Sequence, residues 1–374
     1  MSFPVRLSEI TVEWLNQVFA SRGLLGTRRI VGFESSPASG RGGTSAVCVL
    51  TLAYDQADAS LPRQVLAKFS SESAAVRQTA REHRLYQREI AFYQHYGADP
   101  GIPTPACYAA AFDEPSNTCV LLLEYMENSR SREVYDGDPT DIEQAVRCLA
   151  PFHARWWGRE PSLVFIESEY GLPALQKRRE KAGQAFSRIR EGGYRPLFGE
   201  TGWAILELWL RHAQALTAYA RSRPLTMCHG SFHRGQLLFP SQGTGLPWII
   251  DWQNVSVNFG ASDLARIVVS GLLPGQRQQC QGQLIALYHA LLQEHGVRDY
   301  PAAQLLDDFK LGIVSLIVYH SQILADYPVE VIAKYWKEKD SFWDVLFRWP
   351  GMAAEESDAL GWLKARVRSF SAGD

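Results

Sequence analysis

The chain has 374 residues, and its 46% hydrophobic content is typical of globular proteins. Its 38 Lys and Arg nearly balance its 40 Asp and Glu, so the net charge of -2 excludes a general attraction to nucleic acid or to an anionic membrane. Six scattered cysteines without a Cys-x-x-Cys pair argue against a zinc site or a disulfide framework. The sequence shows neither a secretion signal nor an apolar run of about 18 residues, so we expect a cytoplasmic protein.

The first third of the chain predicts a small unit that consists mostly of β-strands. Residues Leu7 to Arg22 have the apolar spacing of an amphipathic helix, which Ser8 can cap. A composition shift at residues 127–132 marks a boundary, so we predict one unit over residues 1–126 and another over 127–374. Strands are predicted at 29–33, 44–54, 64–70, 106–112 and 118–124, and a second helix at 75–96.

The second unit is predicted to be helical. Thr140 and Glu143 form a capping-box pattern for its first helix, on whose apolar face His153 is interpreted as a core histidine and not as a ligand. Alternating charges over residues 175–191 predict a solvated helix. Helices are predicted at 141–157, 175–191, 203–222, 262–272, 275–295 and 302–327, with further segments within 329–369.

A glycine-rich turn, Ser39-Gly-Arg-Gly-Gly-Thr44, joins the first two predicted strands. Glycines allow backbone amides to approach phosphate oxygens at distances that a Cβ atom would block. An ordinary hairpin turn explains the glycines equally well.

A lysine near the end of the third predicted strand, Lys68, is a candidate phosphate ligand. A lone strand lysine is usually an exposed edge residue. However, Glu89 follows Lys68 by 21 positions, a separation suited to an ion pair between a strand and the next helix. Glu82, one heptad earlier on the same helical face, is the rival partner.

The most informative stretch is Met227-Cys-His-Gly-Ser-Phe-His-Arg-Gly-Gln236, followed by Trp248-Ile-Ile-Asp-Trp-Gln253. Kinases place a catalytic aspartate, an asparagine five positions later and a strand-borne aspartate in this order, to handle the acceptor proton and the metal ions. Here these places fall on Ser231, Gln236 and Asp251. The spacing indicates a phosphoryl-transfer site in which the first residue has lost its carboxylate.

Together with Gly260-Ala-Ser-Asp263-Leu-Ala265, these motifs resemble the aminoglycoside phosphotransferase and choline kinase-like small-molecule kinases. The Asp-Trp-Gln form, with Arg88-Glu-Ile-Ala-Phe-Tyr93 and Leu121-Leu-Leu-Glu124, is most similar to the ecdysteroid kinase-like branch. The resemblance spans roughly residues 30 to 325, and the ordered set of landmarks is far more specific than any single motif.

The resemblance implies an α+β, protein-kinase-like fold with a β-rich lobe and a helical lobe, which uses ATP and Mg²⁺ to phosphorylate a hydroxyl group of a small molecule. Ser231 and His233 are the implied catalytic positions, Gln236 and Asp251 the metal ligands, and His229 and Asp263 the residues that position the loop. The implied nucleotide-binding residues are Gly40, Gly42, Gly43, Thr44, Ser45, Lys68, Glu89, Glu124 and Met126.

The departures from the family pattern leave several interpretations open. A serine hydroxyl cannot take up a proton at neutral pH, but general-base help is worth only about 10²–10⁴-fold, so a serine variant is expected to be slow and still active. Either His233 or a carboxylate from elsewhere in the helical unit is an alternative base. Gln236 keeps the amide oxygen on a longer arm, which predicts weaker metal binding.

Four other readings of the chain stand beside the active kinase. The first is a pseudoenzyme that binds nucleotide without turnover, and the second is a kinase in which Ser231 is an introduced substitution for aspartate. The third is an enzyme of the same fold that performs nucleotidylation, and the fourth is a purely structural protein. Aromatic residues of the helical unit, among them Trp156, Trp203 and Tyr319, give a weak indication of an apolar or ring-bearing acceptor.

Overall fold

A computed structural model describes residues 3–38, 44–131, 137–159, 172–243, 245–326 and 343–371. The chain divides into two compact units, Met1–Ser129 with Trp248–Val255, and Arg130–Pro247 with Ser256–Asp374. This division differs from the sequence-based boundary at 126, because a segment that contains Asp251 belongs to the first unit. None of the described helices combines the length and the apolar character needed to cross a membrane.

The first unit contains an antiparallel sheet in the order β1-β2-β3-β5-β4. The observed bounds of β3 and β5 equal the predicted ones, whereas β1 runs to Pro37 because it pairs with β2 along its whole length. The five strands are β1 (Ile30–Pro37), β2 (Ser45–Tyr54), β3 (Gln64–Ser70), β4 (Cys107–Asp113) and β5 (Thr118–Glu124).

Helix α1 (Val12–Ser21) covers one face of this sheet, where Leu15 and Phe19 pack with Val65, Ala67 and Phe69. Because strand side chains alternate between faces, this packing directs Lys68, which lies between Ala67 and Phe69, to the opposite face.

The predicted helix from Leu7 to Arg22, capped by Ser8, is wrong in its first part. Residues Leu7–Glu9 form a short 3-10 turn, and the backbone at Ile10 and Thr11 is extended. The Thr11 side chain accepts from the Trp14 N–H and so provides the cap of α1.

The predicted single helix over 75–96 is also wrong, since it consists of α2 (Ala74–Glu82) and α3 (Leu85–His95). Arg84 between them has a left-handed backbone with φ of 54°. Such a conformation ends a helix, and the sequence gives no glycine or proline to announce it. Glu82 and Glu89 therefore lie on different helices.

The second unit is mainly helical. Helix α4 (Pro139–Trp156) is capped by the Asp138 side chain, which accepts from the Thr140 N–H, and so the predicted cap at Thr140 is wrong. Its other described helices are α5 (Leu172–Glu191), α6 (Arg195–Arg221), α7 (Ala261–Gly271), α8 (Pro274–Glu294), α9 (Ala302–Asp326), α10 (Trp349–Glu356) and α11 (Ala359–Ser371), with α4 at Pro139–Trp156.

Helix α5 is not the solvated element predicted from its charges. Ala182, Ala185 and Ile189 are fully buried, and the charged residues occupy the remaining faces. Its apolar positions recur at the spacing of one helical face, which the abundance of Arg and Lys concealed.

The remaining strands are short. In the second unit β7 (Leu225–Cys228) pairs antiparallel with β10 (Ser256–Phe259), so that Cys228 lies opposite Ser256 and the loop that follows β7 starts from a fixed edge. These strands are β6 (Ser129–Arg130), β7 (Leu225–Cys228), β8 (Leu237–Pro240), β9 (Trp248–Ile249) and β10 (Ser256–Phe259).

Candidate active site

Lys68, Glu89 and Asp251 form one ionic cluster in the first unit. The Lys68 Nζ atom lies 2.7 Å from Glu89 Oε2 and 2.8 Å from Asp251 Oδ1. The Lys68 and Glu89 side chains are only 12% and 5% exposed, whereas that of Asp251 is 20% exposed. The lysine thus contacts Glu89, the partner favoured over Glu82, and in addition contacts Asp251 directly, which the spacing did not suggest.

Two carboxylates on one lysine leave a net negative charge in this cluster. Burial lowers the pKa of Lys68, but the charges of Asp251 and Glu89 outweigh burial and hold that pKa above its ordinary value. Burial also raises the pKa of Glu89, against the lowering effect of Lys68. The cluster is therefore suited to accept further positive charge, such as a metal ion.

Asp251 is held in an unusual backbone conformation, with φ of 65° and ψ of 60°. Left-handed backbone at a non-glycine residue costs about 1–3 kcal/mol and persists only where neighbouring contacts fix it. Here Trp252 supplies those contacts, because its ring stacks on Phe92 of α3 at 3.8 Å and its Nε1 donates to Thr104 Oγ1. This packing explains why Trp248–Val255 belongs to the first unit.

Gln253 connects Asp251 to the residue that follows the glycine-rich turn. Its Nε2 donates to Asp251 Oδ2 at 3.0 Å, and its Oε1 accepts from Thr44 Oγ1 at 2.8 Å. The Thr44 carbonyl in turn accepts from the Tyr86 hydroxyl at 2.5 Å, and Tyr86 lies one helical turn before Glu89 on α3. Sequence reasoning missed both Gln253 and Tyr86, although Gln253 stands inside the quoted Asp-Trp-Gln motif.

The other predicted nucleotide-binding residues are less informative. Gly40, Gly42 and Gly43 lie outside the described residues. Ser45 begins β2 and is buried. The Glu124 N–H donates to Ala106, and Met126 follows β5, with its carbonyl accepting from the Ser129 hydroxyl. Their roles in adenine binding stay predictions.

In the second unit, Asp263 holds the loop that follows β7. Its two carboxylate oxygens accept from the backbone N–H groups of His229 at 2.6 Å and Gly230 at 3.0 Å. Asp263 is 2% exposed, so these charge-assisted bonds are shielded from water. The fully buried His229 accepts from the Ser231 N–H through Nδ1, which fixes the next turn of the loop.

His153 is a core histidine, as its position on α4 predicted. It is fully buried, its Nδ1 lies 2.7 Å from the Tyr288 hydroxyl, and its Nε2 lies 3.5 Å from Asp263. That second distance is too long for a good hydrogen bond, so we treat it as an electrostatic contact. Ligand atoms of His153, Cys228 and Asp263 lie within 4.8 Å of one another, but Asp263 uses both oxygens on the loop, and we assign no metal there.

Ser231 and His233 occupy the predicted catalytic positions. Ser231 is 7% exposed and offers no carboxylate. His233 accepts from the Gly235 N–H through Nδ1 at 3.2 Å. A neutral imidazole that accepts at Nδ1 carries its proton on Nε2, so this bond argues against the hypothesis that His233 is the base. Gln236 ends the short turn Arg234–Gln236, and its metal role stays a prediction.

A sequence model described as the phosphotransferase enzyme family matches residues 58–306 of this chain. The chain belongs to this family. The match includes Lys68, Glu89, Asp251 and the whole Ser231 loop, so the protein is a phosphotransferase. A search of curated protein sequences finds no match.

Solved structures of similar fold include two that cover nearly the whole chain. One is a candidate aminoglycoside phosphotransferase from Ralstonia eutropha, with 14% identity, a TM-score of 0.51 and coverage of 93% of this chain and 98% of that chain. The other is choline kinase from Cryptosporidium parvum, with 14% identity, a TM-score of 0.51 and coverage of 96% and 97%. The predicted α+β, protein-kinase-like fold is thereby confirmed, whereas the ecdysteroid kinase-like branch stays a prediction.

This phosphotransferase also contains an ionic anchor that sequence reasoning missed. Arg234, between His233 and Gln236, is fully buried and donates to Asp141 of α4 at 2.9 Å. Arg130 donates to both oxygens of the same carboxylate. A buried pair of this kind fixes the loop to α4. The only sign of it in the sequence was the charge of Arg234 within the motif.

Proposed function

We propose that this phosphotransferase transfers the γ-phosphoryl group of ATP to a hydroxyl group of a small molecule, with Mg²⁺ as cofactor. The observation that carries the proposal is the cluster of Lys68, Glu89 and Asp251 within one unit, at distances of 2.7–2.8 Å. Kinases use such a lysine to hold the α- and β-phosphates, with the glutamate as its support.

The donor set suits magnesium, which prefers oxygen ligands and keeps several waters. Asp251 offers carboxylate oxygens, and Gln236 offers an amide oxygen at the motif position of a metal ligand. When bound, magnesium would neutralise phosphate charge. Asp251 Oδ1 now accepts from Lys68, so nucleotide binding requires Lys68 to exchange this partner for phosphate oxygens while Glu89 retains it.

In the proposed reaction, the acceptor oxygen bonds to the γ-phosphorus as the bond to the bridging oxygen breaks and ADP leaves. The acceptor proton passes to water or to the transferred phosphate, because Ser231 cannot hold it and His233 carries a proton on Nε2. Such transfer is slow and still feasible, since the transition state is loose and most of the catalysis comes from positioning and charge neutralisation. A cytoplasmic location and a small-molecule partner belong to the same proposal.

A second candidate function is nucleotide binding without turnover. The observation that favours it is the catalytic loop itself, which has a serine at position 231 and an imidazole at 233 whose Nδ1 accepts from Gly235. This candidate predicts tight binding of ATP and no product.

Turnover distinguishes the two functions. Purified protein with ATP and Mg²⁺ is incubated with a broad panel of small alcohols, and ADP release is measured together with the mass of the product. The phosphotransferase proposal expects a product heavier by one phosphoryl group, whereas nucleotidylation adds a nucleotide. ATP binding without any product across the panel supports the second candidate and contradicts the first.

A further inference from the structure

Arg266 is a buried cation in the second unit. It lies on α7 three residues after Asp263, so the two side chains share one side of that helix, about one turn apart. Arg266 is only 8% exposed, and its guanidinium group lies over the Tyr319 ring of α9, 4.5 Å from the ring centre. The residue that holds the catalytic loop and this arginine are therefore close neighbours.

Within the described part of the chain, no carboxylate forms an ion pair with Arg266. Burial lowers its pKa, and the charge of Asp263, whose oxygens accept from the loop backbone, opposes this effect without forming an ion pair. Three other arginines of this unit differ in this respect, since each contacts a carboxylate. These are Arg223 with Asp308 at 2.8 Å, Arg234 with Asp141 at 2.9 Å and Arg277 with Glu356 at 2.8 Å.

A buried cation without a counter-ion is costly, and buried charges in proteins are normally paired. Stacking on tyrosine does not explain the missing carboxylate. Arg366 also lies 4.5 Å from the centre of a tyrosine ring, that of Tyr219, yet it pairs with Asp307 at 3.1 Å. The N–H donors of the Arg266 guanidinium group therefore remain available to a ligand.

The surroundings of Arg266 include one other buried titratable group, His320. His320, next to Tyr319, is 3% exposed and its Nδ1 lies 2.7 Å from the Leu346 carbonyl. Burial lowers the pKa of His320, and the charge of Arg266 lowers it further. His320 is therefore neutral, so Arg266 carries the positive charge of this group. Tyr319, which covers the guanidinium, is 42% exposed and so borders on solvent.

We infer that Arg266 binds an anionic group, a carboxylate or a phosphate monoester, on the alcohol that this enzyme phosphorylates. The inference rests on the proposed function and specifies its substrate class. A guanidinium group matches the two oxygens of either anion, and the Tyr319 ring offers a flat surface to the rest of the acceptor.

The test compares acceptors that match in shape and differ in charge. 4-(Hydroxymethyl)benzoate is compared with 4-(hydroxymethyl)benzamide, and glycerol 3-phosphate with glycerol, so that the two pairs separate carboxylate from phosphate recognition. Values of kcat/KM are measured for the wild type, Arg266→Met, Arg266→Lys and the matched control Arg366→Met, which removes an arginine stacked on tyrosine elsewhere. Thermal unfolding of each protein is recorded with and without each compound.

We expect the wild type to prefer at least one anionic acceptor over its neutral partner by about 10- to 100-fold in kcat/KM, as for a hydrogen-bonded charged group. Arg266→Met should abolish this preference, Arg266→Lys should keep part of it, and Arg366→Met should keep all of it. Arg266→Met should also unfold at the same temperature as the wild type or higher, because it removes an unpaired buried charge. A preference that is absent, or that survives in Arg266→Met, overturns the inference.

The two proposals fail separately. If acceptors are phosphorylated without regard to charge, the phosphotransferase proposal stands and the anion site is wrong. If no compound is phosphorylated, unfolding decides the anion site on its own. Stabilisation by an anionic compound over its neutral partner in the wild type and its loss in Arg266→Met support the site, whereas equal stabilisation of both proteins overturns it.

Discussion

The two units of this phosphotransferase differ at the residues proposed for function. In the first unit, Lys68 contacts two carboxylates, and Gln253 extends the network to Thr44, so the polar groups there are mutually paired. In the second unit, Asp263 holds the loop, but the predicted catalytic position is Ser231, and Arg266 has no carboxylate partner within the described part of the chain. Lys68, Glu89 and Asp251 thus match the pattern that the resemblance implies, whereas Ser231 departs from it.

The first prediction restores the missing carboxylate of the second unit. Ser231→Asp should raise kcat by about 10²–10⁴-fold, because an aspartate can accept the acceptor proton as general base. The control is Ser231→Asn, which has a similar shape and cannot take up a proton, and it should show no gain. Steady-state kinetics with a substrate found in the acceptor panel provides the measurement. Equal rates in both variants would mean that the absence of a carboxylate at position 231 does not by itself limit the rate.

The second prediction removes the cation of the first unit. Lys68→Met should lower kcat/KM for ATP by about 10²–10³-fold, as for the loss of one preorganised electrostatic contact. It should also destabilise the protein by about 3–5 kcal/mol at neutral pH, because Glu89 loses its buried partner. Lys181→Met, which removes a lysine paired with Asp326, is the matched control and should leave ATP kinetics unchanged.

The pH dependence of Lys68→Met gives a further check on this prediction. Burial already raises the pKa of Glu89, and the lysine opposes that effect. Without Lys68 the pKa of Glu89 rises further, so the folded variant binds a proton more readily than the unfolded chain. Stability lost at neutral pH should therefore return as the pH falls through the new pKa of Glu89. Urea unfolding at several pH values measures this, and a deficit that does not change with pH contradicts the pairing.

The sequence predicted the first unit better than the second because its key pair depends on local regularities. The strand pattern predicted the position of Lys68. Helical spacing left Glu82 and Glu89 as possible partners, and the family resemblance favoured Glu89. The contact between Lys68 and Asp251 was not predictable in this way, since it depends on the stacking of Trp252 on Phe92, far apart in sequence. The break at Arg84 escaped notice because no glycine or proline marks it.

In the second unit the motif predicted that Asp263 positions the loop, but it did not predict which residues of other helices contact the loop or the helix that carries Asp263. Arg234 meets Asp141 and Arg266 meets Tyr319 only through the packing of helices distant in sequence. Periodicity assigns a residue to a face of its own helix and does not specify the neighbour on that face.

The third and smallest effect concerns the link from Asp251 to Thr44. Gln253→Leu should raise KM for ATP by about 5- to 10-fold and change stability by about 1 kcal/mol or less, because it removes two hydrogen bonds that are half-exposed to solvent. Gln64→Leu is the matched control, since Gln64 also donates to a threonine hydroxyl, that of Thr51, at 3.1 Å. Equal KM values for ATP in both variants would show that Gln253 does not contribute to nucleotide binding.

The central claim, that Asp251 holds magnesium beside a lysine that holds the nucleotide, is tested most directly by calorimetric titration of ATP with and without Mg²⁺. The comparison is between the wild type and Asp251→Asn, because asparagine tolerates the left-handed backbone at this position. We predict that Mg²⁺ strengthens ATP binding to the wild type and that this gain is lost in the variant. An equal gain from Mg²⁺ in both proteins would contradict the account.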